Sequence, residues 1–198
     1  IESGADAIIG VVEVAGEGFW SSYANSVLPE RLDDYTSQGL MAFGTTQNIA
    51  IRRSTFKALG GYPREYRKYG FEDKAFLIRL ERLTDRVSLR PDIRVSHDDD
   101  FTLPTVCRKF AEAGQYSAPI FRAQYPEEYA KLPYNRCDAS ASGLRRVLKP
   151  ISGLLRRLSQ WVASFMLVLP LPFHLQRAFV RAAMCAAYFD GTASRSHS

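Results

Sequence analysis

Hydrophobic positions in the first part of the chain alternate between patterns typical of strands and a stretch without a period. The segment ADAIIGVVEV (5–14) is almost continuously apolar and ends in alternation, which predicts a buried strand. QNIAIRR (47–53) also has the composition of a strand. Between them, residues 16–41 contain three glycines and no clean period, so they predict a long loop with one short helix around residues 23–28.

A short helix is expected directly after the second strand. Ser54 and Thr55 predict its N-cap, because their hydroxyl oxygens can accept hydrogen bonds from the first free backbone N–H groups. The helix then runs through Leu59, and Gly60-Gly61 ends it.

The pattern continues with a helix, a strand and a helix. Residues 86–97 (RVSLRPDIRVSH) are strand-like, with Pro91 in a turn or at a sheet edge. Residues 102–114 predict a helix with Thr102 near its N-cap and Gly114 at its end. The helix before this strand shows one apolar face at positions i, i+1, i+4 and i+7, made by Phe76, Leu77, Leu80 and Leu83.

The order strand, strand, helix, strand, helix predicts an α/β fold. Its first strand has no partner earlier in the chain, so a sheet built from these strands alone is small. The chain begins with Ile1, and no charged segment followed by an apolar one is visible, so no signal peptide is expected. The unpartnered first strand and the start at Ile1 both lead us to expect that the sequence starts inside a longer protein.

Composition and charge separate a body from a tail. At 46% hydrophobic and 24% charged residues, the chain is expected to be globular and not disordered. Residues 139–189 contain seven basic residues and no acidic one, whereas residues 1–138 carry a net charge of −2 in a chain of net charge +5. This asymmetry predicts an anionic partner for the tail.

The tail has the pattern of an amphipathic helix over residues 144–158, kinked or restarted at Pro150. Residues 161–173 are apolar, but they are too few to span a bilayer, which needs about 20 residues. The pattern favours a segment in the membrane interface with arginines on anionic headgroups; packing on the protein's own body is the alternative. Nucleic acid is not expected as a partner, because the stripe is too apolar. The expected apolar stripe comprises Leu144, Val147, Leu148, Ile151, Leu154, Leu155 and Leu158, and the opposite face comprises Arg145, Arg146, Lys149, Arg156 and Arg157.

Three cysteines, Cys107, Cys137 and Cys185, are widely spaced and odd in number. No pair is separated by two residues and no Cys/His cluster occurs, so neither a disulfide framework nor a zinc site is expected. The expectation is therefore a reducing compartment.

Glu72 and Asp73 stand together at the start of the apolar-faced helix, after Gly70 and Phe71. Acidic residues in a first helical turn interact favourably with the helix dipole, by about 0.3–1 kcal/mol each, and this is the simpler interpretation. A carboxylate on a rigid helix at the edge of a sheet is also well placed to act as a general base.

The stretch NIAIRRSTFKALGGYPREYRKYGFEDKAFLIRL (48–80) resembles the second half of a family 2 inverting glycosyltransferase with the GT-A fold. A strand with Asn-x-Ala-x-Arg-Arg, a short helix, a Gly-Gly-aromatic turn and a helical Glu-Asp pair follow in the order and spacing of that family. The resemblance covers roughly residues 1–125. It implies that Asp73 deprotonates the acceptor hydroxyl and that Glu72 positions the acceptor or Asp73.

The resemblance also implies further site residues. His97 would face the donor's diphosphate and ligate a divalent metal, Mn²⁺ or Mg²⁺; a structural or solvated His97 is the alternative. Trp20 could be a platform for the acceptor, or could fold back onto the core. The segment that leads into the second strand would line the cleft, with Gly44 and Thr46 among its substrate-binding residues and a hydrogen bond to a sugar hydroxyl from Gln47 or Asn48, although a plain turn explains it nearly as well.

The acidic run at Asp98 and Asp100 mimics the Asp-x-Asp metal motif of these enzymes. It follows the Glu-Asp pair, whereas the family's motif precedes it by a long stretch. We therefore assign it no metal role, and interpret it as a solvated or helix-capping loop. The true motif and the nucleotide-binding strand would lie upstream of Ile1, so the given chain is expected to be incomplete for activity.

Together these features predict a partial GT-A sheet, Rossmann-like with flanking helices, in residues 1–138, and a basic, amphipathic membrane-associating tail in residues 139–198. The expected function is a bacterial, nucleotide-sugar-dependent transferase of polysaccharide biosynthesis. It would transfer a sugar with inversion to a glycan or lipid-linked acceptor, peripherally at the cytoplasmic face of the membrane. The alternative is a catalytically inactive module of the same fold that binds a membrane or a protein partner.

Overall fold

The computed structural model describes residues 4–98, 101–141 and 143–194, without the side chains of Ala42 and Leu144. The chain divides into two compact units. Unit 1 comprises residues 1–64 and 72–100, and unit 2 comprises residues 65–71 and 101–198. Residues 101–138 thus cluster with the tail.

Unit 1 is built on a three-stranded sheet in the order β2-β1-β3, which agrees with the predicted α/β fold and its small sheet. The strands are β1 (Ala7–Val14), β2 (Ile49–Ile51) and β3 (Val87–His97). β1 is central and runs parallel to β3 and antiparallel to β2. Its inward-facing residues Ile9 and Val11 are fully buried, as expected for a strand covered by helices.

The described residues of unit 1 also form four helices: α1 (Phe19–Gln38), α2 (Leu40–Phe43), α3 (Arg53–Ala58) and α4 (Glu72–Leu83). The α4 face predicted from its spacing is buried at Phe76, Leu77 and Leu80, while Leu83 is 46% exposed. Leu77 packs with β1, and Phe76 and Leu80 form a second cluster with Ala7. The α4 helix is therefore fixed against the sheet along most of its length.

The expected loop at residues 16–41 is wrong, because 20 of these residues form α1. The helix has almost no overall amphipathic pattern and contains Pro29, so its sequence lacks the usual signal. Only Leu28, Leu32 and Tyr35, spaced by four and three residues, pack against the core cluster. Three contacts in 20 residues were too sparse to reveal the period.

The predicted caps of α3 are also wrong. Arg52 is the N-cap residue, with an extended backbone and no side-chain cap hydrogen bond, so the helix begins before Ser54. Thr55 is buried inside the helix. The predicted stop holds, because Gly60 and Gly61 both have positive φ, at 74° and 77°.

Pro91 lies at a sheet edge, one of the two positions expected for it, in an irregular part of β3. Leu89 pairs with Ile9 and Arg94 with Val11, so the intervening residues of β3 bulge out of the ladder. Pro91 lies in this bulge on an edge strand, where its missing N–H costs no ladder hydrogen bond.

Unit 2 is helical. Its elements, in chain order, are α5 (Leu103–Glu112), a π-helical turn (Ala113–Ser117), α6 (Ala118–Gln124), α7 (Pro126–Lys131), a 3₁₀ turn (Pro133–Cys137), α8 (Gly143–Val147), a 3₁₀ turn (Lys149–Ile151), α9 (Ser152–Val168) and α10 (Phe173–Ala193). Thr102 caps α5 as predicted, since its hydroxyl accepts a hydrogen bond from the Thr105 N–H at 3.3 Å.

Gly114 does not end a helix as expected, because the helical chain continues through the π turn. Its role is close packing: a Cβ at Gly114 would lie 2.6 Å from the Tyr188 carbonyl oxygen. Gly191 on α10 is matched to it, since a Cβ there would lie 2.1 Å from the Ala111 carbonyl oxygen. The two glycines let α5 and α10 approach at backbone contact.

A buried carboxylate organises the interior of unit 2. Asp138 is 2% exposed and accepts hydrogen bonds from Arg122 at 2.9 Å, Tyr129 at 2.8 Å and Ser140 at 2.6 Å. The hydroxyls of Tyr129 and Tyr188 are 2.8 Å apart. Burial raises the pKa of Tyr129 and Tyr188 well above the usual tyrosine value, so both remain protonated and the network is satisfied.

The expectation of no disulfide is wrong. Cys137 and Cys185 form a disulfide with Cα atoms 5.4 Å apart, which links the 3₁₀ turn before the tail to α10. Cys107 is the free and buried cysteine. Spacing could not reveal the pair, because two cysteines 48 residues apart become neighbours only in the folded chain.

The tail does not form one helix over residues 144–158. The chain has α8, a 3₁₀ turn at Pro150 and then α9, so Pro150 restarts the helix as one of the expected outcomes. The apolar segment expected at residues 161–173 divides into the second half of α9 and the proline-containing link to α10. None of the described helices is both long and apolar enough to cross a membrane.

Candidate active site

The segment before β2 and the beginning of α4 form the candidate site in unit 1. Because β2 is antiparallel to β1, the residues that precede β2 lie on the side toward which β1 runs. A backbone hydrogen bond of 2.8 Å from Gly10 N–H to the Asn48 carbonyl fixes this segment to β1. This is the side of the sheet at the carboxyl ends of the parallel strands β1 and β3, where α/β sheets usually bind ligands.

Asp73 lies in the first turn of α4, and its carboxylate is held by the segment before β2. The Thr46 hydroxyl donates a hydrogen bond to Asp73 Oδ1. Within the described residues Asp73 Oδ2 accepts no hydrogen bond. The arrangement fixes one carboxylate oxygen and leaves the other able to accept a proton.

Tyr62 adds a third member, because its hydroxyl is hydrogen-bonded to the Thr46 hydroxyl. A hydroxyl has a single proton to donate. Since Thr46 uses its proton toward Asp73, the bond with Tyr62 must run from the Tyr62 O–H to Thr46 Oγ1. The chain of donors therefore points from Tyr62 through Thr46 to Asp73.

The pKa of Tyr62 is raised above the usual tyrosine value, first by burial of the phenol and further by the negative charges of Asp73 and Glu72. Tyr62 consequently keeps its proton throughout the neutral range and can donate it to Thr46. Glu72 is half-buried and close enough to contribute to this field.

The position of Tyr62 is fixed from α4, the same helix that carries Asp73. Its ring stacks on Phe76 with centroids 4.5 Å apart and an interplanar angle of 13°. Arg79 donates hydrogen bonds of 2.6 Å to the carbonyls of Leu59 and Gly61, which hold the turn before Tyr62. Sequence reasoning included this turn as Gly-Gly-aromatic but assigned Tyr62 no role.

Lys74 is a further residue that sequence reasoning missed. Its ammonium donates a hydrogen bond of 3.1 Å to the Met41 carbonyl. Burial lowers the pKa of Lys74 to about 8, assisted by repulsion from Arg31 and opposed by the charges of Asp73 and Asp34. A single lysine after two acids has no sequence pattern that distinguishes it from a solvated one.

Gly44, an expected substrate-binding residue, has a clear packing role. It has a φ of 72°, which is in the left-handed region that favours glycine. A Cβ at this position would lie 2.3 Å from Lys74 Nζ. Gly44 thus makes room for the lysine, and a contact with the substrate remains a prediction.

Gln47 and Asn48 differ in how they are used. Gln47 is exposed, and its Oε1 accepts a hydrogen bond of 3.2 Å from the Thr45 hydroxyl. Asn48 donates its amide protons to the carbonyls of Val11, at 3.0 Å, and Ile93, at 3.2 Å. The Asn48 amide thus ties β1 to the bulge of β3, which leaves only its oxygen for the predicted sugar contact.

Trp20 lies in the first turn of α1 and is half-buried. Its ring packs edge-on against Phe19, with centroids 5.2 Å apart, and against Tyr23, at 5.9 Å. The three rings form an aromatic group where the chain leaves β1. The predicted platform role of Trp20 stays a prediction.

His97 is the last residue of β3 and pairs with Val14 at the carboxyl end of β1. Val14 is four residues beyond Gly10, the partner of Asn48, which corresponds to about 13 Å along the strand. Within the described residues, no three His, Cys, Asp or Glu side chains are grouped closely enough to hold a metal ion. Asp100 lies outside the described residues. The protein groups described here therefore do not form a metal site by themselves.

Comparison with known families gives one match. Residues 34–98 match the family model described as the N-terminal domain of galactosyltransferase, which is a glycosyltransferase domain. The match spans about a third of the chain and includes Thr46, Tyr62, Asp73 and His97. Comparison with curated proteins and with solved structures gave no match.

The match supports the predicted glycosyltransferase character of the segment, and with it a nucleotide-sugar donor and an acceptor. It does not name family 2, so that finer assignment remains a prediction.

Proposed function

We propose that the chain is part of an inverting, nucleotide-sugar-dependent glycosyltransferase in which Asp73 is the general base. The observation that carries the proposal is the asymmetric hydrogen bonding of the Asp73 carboxylate. Thr46 holds Oδ1, and Oδ2 accepts no hydrogen bond within the described residues. A base that acts on an incoming hydroxyl requires such an oxygen.

In the proposed reaction, Asp73 Oδ2 removes the proton of the acceptor hydroxyl as its oxygen attacks the anomeric carbon. The bond from that carbon to the diphosphate breaks, and the nucleoside diphosphate leaves with the electron pair. One carboxylate is sufficient, because attack occurs on the face opposite the leaving group and inverts the configuration. Glu72, Gln47 and the Asn48 oxygen are proposed to position the acceptor or the donor sugar.

The direct test is sugar transfer by the full-length protein. The matched family suggests a nucleotide-activated galactose as the first donor, followed by other nucleotide hexoses, with glycan and lipid-linked acceptors. We expect acceptor-dependent release of nucleoside diphosphate and a product of inverted anomeric configuration by NMR. Retained configuration would contradict the mechanism. Donor binding without transfer to any acceptor would favour the inactive module.

A divalent metal, Mn²⁺ or Mg²⁺, would neutralise the leaving diphosphate when bound. The described residues do not form a metal site by themselves. His97 is proposed as a single protein ligand to a metal that the donor's phosphates complete.

We expect His97→Ala to weaken Mn²⁺-dependent binding of the nucleotide at least as much as loss of an outer-shell partner of a metal ligand does, which is about 10–100-fold. Calorimetric titration of the nucleotide with and without Mn²⁺ measures this. His174→Ala is the matched control, because His174 is exposed on α10. Equal metal dependence in wild type and His97→Ala would assign His97 a structural role.

The tail is proposed to bind an anionic membrane surface through α9, and residues 139–198 are proposed to be the membrane-associating region. On α9, Leu154, Leu158, Trp161, Phe165 and Val168 are each between 52% and 84% exposed. At 100° per residue they fall in a stripe about 80° wide. We name this set the outward face of α9.

The opposite side of α9 packs within unit 2 and mixes polar with apolar residues, since Ser152 and Arg156 lie there beside half-buried Leu155, Val162, Met166 and Leu167. Ser152 and Ala163 are buried, and Ser152 donates a hydrogen bond of 2.8 Å to Asp190 on α10. Arg156 forms an ion pair of 3.2 Å with the same carboxylate. The helix is thus apolar toward solvent as well as toward its own unit, whereas a helix that packs on a soluble body usually has a polar outer face.

Charge favours a lipid surface as the occupant of the outward face. Arg157 is exposed beside it, Arg146 is exposed on α8, and residues 139–189 contain no acidic residue. Two copies that met through this face would bring like charges together, whereas anionic headgroups attract them. The Cys137–Cys185 disulfide is typical of an oxidising compartment, and so argues against the cytoplasmic face.

A further inference from the structure

We propose that Tyr62 is a positioning residue of the transfer reaction, which orients Asp73 through the Thr46 hydroxyl. The inference rests on the proposed function of Asp73 and adds to it the aromatic residue of the Gly-Gly-aromatic turn, to which the sequence assigned no role. The two hydroxyls and the carboxylate form one directed chain from Tyr62 to Thr46 to Asp73.

The hydrogen bonds from Tyr62 to Thr46 and from Thr46 to Asp73 restrict the conformation of the Asp73 side chain. A carboxylate in a first helical turn can rotate about its side-chain bonds unless one of its oxygens is held. Thr46 alone could also rotate, since its hydroxyl has several staggered positions. By donating to Thr46 Oγ1, Tyr62 fixes the direction in which the Thr46 proton points, and this direction is toward Asp73 Oδ1.

The support behind Tyr62 is built into the same helix that carries Asp73. Phe76 stacks on the ring, and Arg79 holds the carbonyls on both sides of Gly60. The pair Gly60-Gly61 permits the left-handed backbone that this turn needs. Asp73, Phe76 and Arg79 all belong to α4, so the helix that carries the carboxylate also holds the Tyr62 ring and the turn before it.

Tyr62 is also not a core residue, since it is 41% exposed. A tyrosine that served only the core would bury its ring, and phenylalanine would then suffice, as at Phe76, which is 1% exposed. The hydroxyl is the group that phenylalanine lacks, and its partner is Thr46. During transfer the acceptor proton goes to Asp73 Oδ2, while Thr46 and Tyr62 keep their own protons, so no net proton moves along the chain.

The kinetic test compares Tyr62→Phe, Thr46→Val and the double variant in the full-length protein. Loss of one orienting hydrogen bond should lower kcat about 10-fold, with the acceptor KM changed less than about twofold. Since both variants break the same chain, the double variant should also be about 10-fold slower, not about 100-fold. Thr46→Ser, which keeps the hydroxyl, should recover most of the turnover lost in Thr46→Val.

A spectroscopic test works without a known substrate. The difference in absorbance at 295 nm between wild type and Tyr62→Phe, followed against pH, gives the titration of Tyr62 alone. The pKa should lie above the usual tyrosine value, and Asp73→Asn should lower it by removing a nearby negative charge. Tyr116 is a similarly exposed tyrosine in unit 2, so Tyr116→Phe is the matched control. The Tyr116 titration obtained in the same way should not change in Asp73→Asn.

The outcomes separate the two proposals. If Asp73→Asn is inactive while Tyr62→Phe is fully active, the base stands and the positioning role of Tyr62 is wrong. If Asp73→Asn stays active, the base assignment fails, whatever Tyr62 does. The positioning role of Tyr62 would be contradicted by an unchanged Tyr62 pKa in Asp73→Asn. It would also be contradicted if the kcat losses of the two single variants simply multiplied in the double variant.

Discussion

Replacement of Asp73 by Asn should lower kcat by about 10²–10⁴-fold, the usual contribution of a positioned general base. The Asn side chain has nearly the same shape, and its amide oxygen can still accept the hydrogen bond from Thr46. Donor binding should remain within about twofold of wild type, because the base acts on the acceptor. Steady-state kinetics with the donor saturating, together with calorimetric titration of the nucleotide, measures both quantities.

The matched control is Asp92→Asn. Asp92 is an exposed acid of unit 1 whose partner is Arg90, and the two form an ion pair of 2.8 Å at the surface. Such pairs contribute little, so this variant should keep full turnover and an unchanged melting temperature. If Asp73→Asn retains more than about a tenth of wild-type kcat, Asp73 is not the base.

The part of the site that sequence could predict is the part with a motif. The Glu-Asp pair, the apolar face of α4 and the segment before β2 were all identified from spacing and from the family resemblance. The structure then brings Thr46 and Asp73, 27 residues apart, into hydrogen-bonded contact. Their roles remain predictions.

Tyr62 and Lys74 could not be assigned from the sequence, because their importance depends on geometry. Tyr62 is one of 10 tyrosines, and only the folded turn directs its hydroxyl toward Thr46. Lys74 is distinguished by burial beneath Gly44, which a sequence pattern does not encode. Asn48 shows the reverse case, since a residue expected to bind sugar uses its amide to join two strands.

The fold was predictable where periodicity was strong. Both long strands and α4 follow alternation or a helical face, whereas α1 has three core contacts in 20 residues and no usable period. In the tail, the spacing of the apolar residues was visible in the sequence, but the sequence did not show which side of α9 faces solvent. Asp190 on α10 binds Ser152 and Arg156, so the side of α9 that carries these two residues faces its own unit and the outward face of α9 faces solvent.

That orientation makes binding to anionic vesicles the second large effect expected. Replacing Trp161 and Phe165 together with Gln should lower the vesicle partition coefficient by about 100-fold, since burying each ring contributes at least about 1.5 kcal/mol. The two rings are stacked, 6.2 Å apart, and are 67% and 52% exposed. Their replacement should therefore leave the melting temperature unchanged. Tyr116→Gln, an exposed aromatic residue on another element of unit 2, is the control.

Only some of the tail arginines are suitable for a test of membrane binding. Arg145 donates a hydrogen bond of 2.8 Å to the Asn135 carbonyl, and Arg156 pairs with Asp190, so changing either one tests folding. Arg146 and Arg157 are exposed. Replacing both with Gln should weaken binding about 30-fold at low salt, because each arginine near the surface contributes about 1 kcal/mol. Arg108→Gln is the matched control, at a residue 64% exposed on α5.

Co-sedimentation with neutral and with anionic vesicles, at low and at high salt, distinguishes the two contributions. The arginine part should disappear as salt shortens the Debye length to about 3 Å at 1 M, while the outward face of α9 retains a salt-insensitive remainder. Absence of binding to anionic vesicles at low salt would contradict the membrane proposal. Sedimentation velocity without lipid tests a second copy as the occupant. A dimer that Trp161→Gln with Phe165→Gln converts to monomer would assign the outward face to self-association instead.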